Sequence, residues 1–290
     1  TSIEVFNITV TPVGGNDTNA AVIDFENVSA DSLSITNIGS SNENLTINNL
    51  AQLPTYNLNT TSGDTTLTFQ DSGLTSTTDD LVINLDGAET LSTITLGKSA
   101  GSDTEAIETV SFVSGSVANT LTSFTTTDVS TSTVEVTGDT NLSIVGPLSA
   151  QVTHVSASTF TGDLRVTTNA GTAASTIEGG SGNDTLLSLG GGADSIVGGS
   201  GNDSIEAGAG ADTLIGGLGS DTIDGEGGDD YIDSGAGADH ITTGTGDVVV
   251  TSGTGADTIV ASTGTMSLVG GSGADLITLG TTLDATDVVT

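Results

Sequence analysis

The sequence predicts an all-β fold, a β-solenoid of short strands over residues 1–170 that continues into a parallel β-roll over residues 171–290. Three observations carry this. Residues Gly179 to Asp275 repeat at a nine-residue step. The remainder alternates aliphatic or β-branched residues with Thr, Ser and Asn and has almost no helix-forming run. Aromatic residues make up only 3% and Trp is absent, so the core has to come from thin rows of Ile, Leu and Val. Repetitive β-architectures stack such rows into a continuous core.

The repeat follows the template Gly-Gly-x-Gly-x-Asp-x-U-x, in which U is a large aliphatic residue. Gly179-Gly180-Ser181-Gly182-Asn183-Asp184-Thr185-Leu186-Leu187 fits at every position. The stretches from Gly198 to Glu206, Gly216 to Asp224 and Gly270 to Thr278 fit again. Weaker copies centre on Asp194, Asp212, Asp230, Asp239 and Asp257. The step is ten residues from Asp184 to Asp194 and nine thereafter. A flexible glycine-rich linker shares the composition but has no reason to place an aliphatic residue two after each Asp.

The residue types dictate a chemistry. Glycine lets backbone carbonyls turn into a tight bend. Carbonyls and a carboxylate are hard oxygen donors, which suit Ca²⁺ at six- to eight-fold coordination. The x-U-x triplet is a very short strand with its aliphatic residue turned inward. Two repeats make one turn of a flattened helix, so repeats 18 residues apart stack on one edge. One edge then carries Asp184, Asp203, Asp221, Asp239, Asp257 and Asp275, and the other Asp194, Asp212 and Asp230. Next on that edge come Val248, Met266 and Asp284, where the ladder fails, and Asp247, one residue early, is the candidate to rescue a site. The glycine carbonyl donors are expected from Gly180, Gly182, Gly199, Gly201, Gly208, Gly210, Gly217, Gly219, Gly228, Gly235, Gly237, Gly253, Gly255, Gly271 and Gly273. Holding each ion between two stacked aspartate turns gives about seven Ca²⁺, five on the first edge and two on the second. The predicted inner row is Leu186, Ile196, Ile205, Leu214, Ile223, Ile232, Ile241, Val250, Ile259, Leu268 and Ile277. EF-hand loops, with twelve-residue ligand spacing and flanking helices, are excluded.

The first 170 residues show shorter β-patterns. Candidate strands carry Ile3, Val5 and Ile8, Leu33 and Ile35, Leu45 and Ile47, Tyr56 and Leu58, and Leu67 and Phe69. Val82, Ile94 with Leu96, Val110 with Phe112, Val134 with Val136, and Leu164 with Val166 continue more loosely. Only Gly101 to Val110 reads as a turn or two of helix. A β-sandwich would use similar strands. The short strands, the recurring turns such as Thr61-Ser62-Gly63-Asp64 and the missing aromatic anchors favour the solenoid. Asp79, Asp80, Asp86, Asp139 and Asp163 read as solvated acids.

Charge sets the partners. Two Lys and Arg face 37 Asp and Glu, for a formal charge of −35. Such a chain repels phosphate, so nucleic acid and anionic lipid surfaces are excluded as partners. There is no Cys, which excludes disulfides and cysteine-ligated metals. No apolar run approaches the roughly 20 residues of a membrane span, so membrane insertion is not expected. The chain begins with Thr1 and ends at or near a repeat, as a piece of a longer protein would.

The nonapeptides resemble those of the RTX (repeats-in-toxin) calcium-binding family over about 100 residues. The first part adds a second likeness. Ile107-Glu108-Thr109-Val110-Ser111-Phe112 is similar to a strand of bacterial S-layer proteins of the Caulobacter type. Ser156-Ala157-Ser158-Thr159-Phe160-Thr161-Gly162-Asp163-Leu164-Arg165-Val166 is similar to the segment preceding their repeats. This resemblance implies type I secretion to the bacterial cell surface, calcium-dependent folding outside the cell and self-assembly into a two-dimensional lattice. It also implies anchoring to lipopolysaccharide through a domain outside this chain. An RTX adhesin stalk or an ice-binding region is the alternative.

An enzyme is not expected. The sequence contains no HExxH, and His154 and His240 stand alone as structural and surface residues. A β-helical polysaccharide lyase needs basic residues for a polyanionic substrate, and one Lys and one Arg are a poor basis for that. Ice binding needs a regular Thr row, which the repeats vary too much to supply. About seven ions bring about +14 against −35, so further ions are expected in the first half or between subunits.

Overall fold

The computed structural model describes residues 6–10, 21–24, 32–37, 45–50, 55–59, 65–69, 79–86, 91–98, 107–126, 131–169, 171–280 and 286–290. The chain forms two compact units, Thr1–Gln151 and Val152–Thr290. Among the described residues there is no helix, and both units are parallel β-solenoids.

In the first unit the strands are β1 (Phe6–Val10), β2 (Ala21–Asp24), β3 (Ser32–Asn37), β4 (Leu45–Leu50), β5 (Thr55–Asn59) and β6 (Thr65–Phe69). They continue with β7 (Asp79–Asp86), β8 (Leu91–Lys98), β9 (Ile107–Gly115), β10 (Asn119–Thr126), β11 (Thr133–Gly138) and β12 (Leu142–Ile144). Odd-numbered strands build one sheet and even-numbered strands the other, each pairing in parallel with the strand two further along. Parallel pairing between alternate strands excludes the sandwich alternative, whose strands are antiparallel. The pairing puts like residues above one another, Leu81 on Val110 and Ile83 on Phe112, then Val110 on Val134 and Phe112 on Val136. All six side chains are buried. Phe112 meets Phe124 of the opposite sheet edge to face, with centroids 5.3 Å apart.

The helical reading of Gly101–Val110 fails over its last four residues, which belong to β9, where Ile107, Val110, Phe112 and Ser114 are buried. Residues 101–106 lie outside the described ones. The strand expected around Val82 forms as β7, with Leu81, Ile83 and Leu85 inward and Val82 half-buried. Ile3 and Val5 lie outside the described residues. Asn119 shows how a buried polar residue is held here. Its amide donates to the Leu85 carbonyl (3.1 Å), to Ser114 Oγ (2.7 Å) and to the Val117 carbonyl (2.8 Å).

In the second unit the strands are β13 (His154–Ser156), β14 (Leu164–Thr168), β15 (Thr176–Glu178), β16 (Thr185–Ser188), β17 (Ser195–Ser200) and β18 (Ser204–Glu206). After these come β19 (Thr213–Leu218), β20 (Thr222–Asp224), β21 (Tyr231–Ala236), β22 (His240–Thr242) and β23 (Val248–Thr251). The last are β24 (Thr258–Ala261), β25 (Met266–Val269), β26 (Leu276–Leu279) and β27 (Val288–Val289). The same alternation gives two parallel sheets with the aliphatic rows between them. Leu186, Ile205, Ile223, Ile241, Ile259 and Ile277 stack in one sheet. Ile177, Ile196, Leu214, Ile232, Val250 and Leu268 stack in the other. From Ile177 to Leu268 these side chains are at most 1% exposed, and each contributes roughly 1.5–3 kcal/mol by burial. Ile277 is only half-buried.

The ten-residue step is absorbed in a turn. Thr168 pairs with Ser188 and both are buried, and Leu189 projects outward at 55% exposure. The register of the following strands is therefore kept.

Candidate metal centre

The predicted aspartates stand in two ladders at the bends between the sheets. Asp184, Asp203, Asp221, Asp239 and Asp257 on the first edge, and Asp194, Asp212 and Asp230 on the second, are 1–2% exposed. Asp275, on the last described turn of the first edge, is half-buried. A carboxylate tolerates such burial only when its oxygens find donors or a cation.

Half of that need is met by the main chain. On the first edge Oδ1 of each aspartate accepts the amide of the aspartate one turn earlier. The distances are 2.8 Å from Asp184 N to Asp203, 2.8 Å from Asp203 N to Asp221 and 2.9 Å from Asp221 N to Asp239. Asp239 N reaches Asp257 at 3.0 Å and Asp257 N reaches Asp275 at 3.1 Å. The second edge repeats this from Asp194 N to Asp212 at 2.7 Å and from Asp212 N to Asp230 at 3.0 Å. Leu164 N and Ser175 N cap the two ladders by donating to Asp184 and Asp194.

The other oxygen is left over. Oδ2 of Asp203, Asp212, Asp221, Asp230, Asp239 and Asp257 is buried and has no hydrogen-bond partner. The electrostatics record the strain. Burial raises the Asp203 carboxyl to about 7, and the carboxylates of Asp184 and Asp221 push it the same way. Burial likewise lifts Asp212 and Asp221 to about 6. Asp184, Asp230 and Asp239 are raised for the same leading reason. In each case backbone amide donors pull part of the way back.

At Asp203, Asp221 and Asp230 the orphan oxygen faces a main-chain carbonyl of the next turn. A methyl on Gly216 would stand 2.5 Å from Asp221 Oδ2 and 2.6 Å from the Ser234 carbonyl oxygen. A methyl on Gly225 would stand 2.7 Å from Asp230 Oδ2 and 2.9 Å from the Thr243 carbonyl oxygen. Beside Asp221 and Asp230, carboxylate and carbonyl thus converge on a space that glycine leaves open. At the corresponding positions Ser234 and Ser252 donate their hydroxyls to the carbonyls of Ser252 (2.9 Å) and Gly270 (2.7 Å). Among the described residues no three His, Cys, Asp or Glu side chains cluster as a metal site. The donor set is therefore one carboxylate per turn completed by main-chain oxygens, which fits Ca²⁺ and not a softer metal. Bound there, the ion would supply the positive charge and oxygen coordination that the orphan carboxylate oxygens lack.

The predicted glycines form the columns of these turns. Gly180, Gly199, Gly217, Gly235, Gly253 and Gly271 stack on the first edge, and so do Gly182, Gly201, Gly219, Gly237, Gly255 and Gly273. Gly208, Gly210 and Gly228 occupy the second edge. Gly219 shows why nothing larger fits. Its φ is +127°, and a Cβ would collide with the Gly201 carbonyl. On the second edge the column also includes Gly192, Gly246 and Gly264, so the glycine turn persists where the aspartate is lost.

Several residues take places the sequence did not suggest. Asp247 is exposed and does not point into the ladder. It continues an outer series, in which Asp229 Oδ1 accepts Asp247 N at 2.9 Å and Asp247 Oδ1 accepts Thr265 N at 2.8 Å. On the first edge the same outer series links Asp163, Asn183, Asn202 and Ser220, each accepting the next turn's amide at 2.7 Å up to Ser220. Asp163 is therefore a turn ligand for Asn183 N and not simply a solvated acid. Val248 and Met266 fill the aspartate position with buried side chains, 3% and 1% exposed. Asp284 lies outside the described residues. The position in register with Met266 belongs to Asp287, whose Oδ1 accepts Met266 N at 2.9 Å. His240 is exposed, and His154 is half-buried in β13.

Comparison with known proteins agrees with this geometry. Residues 169–281 match, in overlapping segments, the family described as RTX calcium-binding nonapeptide repeat (4 copies). No curated protein and no solved structure matches the chain. Residues 169–281 thus carry RTX calcium-binding nonapeptide repeats.

Proposed function

We propose that this chain is part of a secreted structural protein of the bacterial surface. Its roll folds when calcium becomes available outside the cell, and its copies assemble into an S-layer lattice. The observation that carries the calcium step is the set of six buried Asp Oδ2 atoms without a donor. Where calcium is scarce these carboxylates repel one another and the roll stays unfolded, a state suited to export through a type I secretion channel. Extracellular modules bind calcium with Kd on the order of 10⁻⁴ to 10⁻³ M, a range suited to folding outside the cell.

The lattice step draws on the S-layer likeness of Ile107–Phe112 and Ser156–Val166 and on the acidic, Cys-free composition. Tyr231 and Val249, paired in register and each 44% exposed, supply an apolar surface for a subunit contact beside the lapse in the second ladder. Ice binding is poorly supported, because the outward column Thr185, Ser204, Thr222, His240, Thr258 and Leu276 is not a regular Thr row. Electron microscopy of the full-length protein in millimolar calcium tests the proposal. Two-dimensional sheets are expected. Isolated rods would overturn the lattice reading in favour of an adhesin stalk.

A further inference from the structure

Pairing aspartates along the second edge places its two ions between the turns of Asp194 and Asp212 and of Asp212 and Asp230. The atoms suggest a different placement. Beside Gly198, Gly216 and Gly225 the orphan Oδ2 faces the carbonyl of the following turn, so an ion there belongs to an aspartate and the turn after it.

Asp230 meets that condition although the following turn has no aspartate. It is 2% exposed, and its Oδ2 has no partner. Across the open face of Gly225 lies the Thr243 carbonyl oxygen. The turn from Thr243 to Val248 keeps the glycine geometry, with φ of +71° at Gly244 and +128° at Gly246. Thr245 Oγ1 also approaches this turn, 3.2 Å from where a methyl on Gly227 would stand. Losing an aspartate at Val248 therefore removes none of the donors that face Asp230 Oδ2.

Asp194 does not meet the condition. Its Oδ2 accepts the Ser188 hydroxyl at 2.6 Å, and its Oδ1 accepts the Ser175 amide. Ser188 Oγ in turn accepts from Thr168 Oγ1 at 3.2 Å. Both carboxylate oxygens are already served by the chain.

We infer that the second edge holds one calcium ion between Asp230 and the aspartate-free turn at Thr243, and none at Asp194. A hydroxyl pair, Thr168 and Ser188, does at the first turn what a cation does below it. This rests on the calcium reading above. The test is calcium stoichiometry of the full chain at saturating calcium, with far-UV circular dichroism as the check on folding. Asp194→Asn is expected to bind as many ions as the unmodified chain, and Gly225→Ala one fewer. Loss of an ion with Asp194→Asn, or an unchanged count in a folded Gly225→Ala, overturns the inference. Should Gly225→Ala not fold, Asp230→Asn replaces it. That variant must lose an ion while Asp194→Asn does not, and equal losses overturn the inference. An unmodified chain that binds no calcium sinks the calcium reading itself, which is a distinguishable failure.

Discussion

Removing calcium turns the buried ladder into a pH-dependent liability. Take the metal-free chain in chelator and lower the pH from 7.5 to 5. Asp203 titrates at about 7 in the fold, against an ordinary value of 3.8. The folded state then binds more protons than the unfolded chain at every pH between those values. Stability accordingly falls as pH rises through that window and is recovered as pH drops below the folded value. At 1.36 kcal/mol per unit, ionising Asp203 at pH 7.5 costs the fold about 4 kcal/mol. Asp212 and Asp221, at about 6, each cost about 3 kcal/mol. Against a net stability of roughly 5–15 kcal/mol, three such groups offset a large fraction of what holds a domain folded. Far-UV circular dichroism in chelator should show coil at pH 7.5 and a β-spectrum growing in near pH 5. Sedimentation velocity separates folding from association near the pI. A metal-free spectrum that is unchanged between pH 7.5 and pH 5, or that loses β-signal on acidification, refutes the reasoning.

Other consequences are equally open to measurement. Asp203→Asn removes the buried charge and lets an amide donor face the Gly216 carbonyl. Thermal melts in chelator at pH 7.5 should show a more stable variant, and calcium titration a lower ion count. Gly216→Ala puts a methyl 2.5 Å from Asp221 Oδ2, so the calcium midpoint for folding should rise roughly tenfold. Ile223→Ala, in the middle of an inner row, should cost about 2–5 kcal/mol in urea unfolding at saturating calcium. Glu226 is exposed and sits at φ +61° where other turns use glycine, so Glu226→Gly should stabilise the roll by about 1 kcal/mol in the same assay.

The roll was legible because its period is rigid. One aliphatic residue two places after each Asp fixes strand, face and register together, and ten members of the predicted inner row are buried as expected. Ile177 and Val155 extend the same rows but escaped notice, since their turns lack the Gly–Asp signature, whereas Val166, which stacks on Leu186, showed through its own strand pattern. In the first unit β10 was missed because Asn119–Thr126 is mostly Thr and Ser, with only Leu121 and Phe124 turned inward as large apolar residues. β12 is only three residues long, too short for alternation to show, although Gly138-Asp139 and Gly146-Pro147 bracket it.

At the site, the sequence identified the aspartates but not which oxygen each leaves free. That depends on which turn supplies the opposing amide and carbonyl, and on small residues such as Ser188 that belong to no motif. The outer series through Asn183, Asn202, Asp229 and Asp247 was equally hidden. Its signal was a polar residue immediately before the ladder position, which looks like an ordinary variable site in any single repeat.

The behaviour of the roll turns on whether its carboxylate ladder needs calcium to fold. The most direct measurement is a calcium titration of the chain at pH 7.5, starting in chelator and followed by far-UV circular dichroism. The predicted result is a cooperative change from coil to β-structure with a midpoint on the order of 10⁻⁴ to 10⁻³ M. A full β-spectrum already present in chelator, unaltered by calcium, would contradict it.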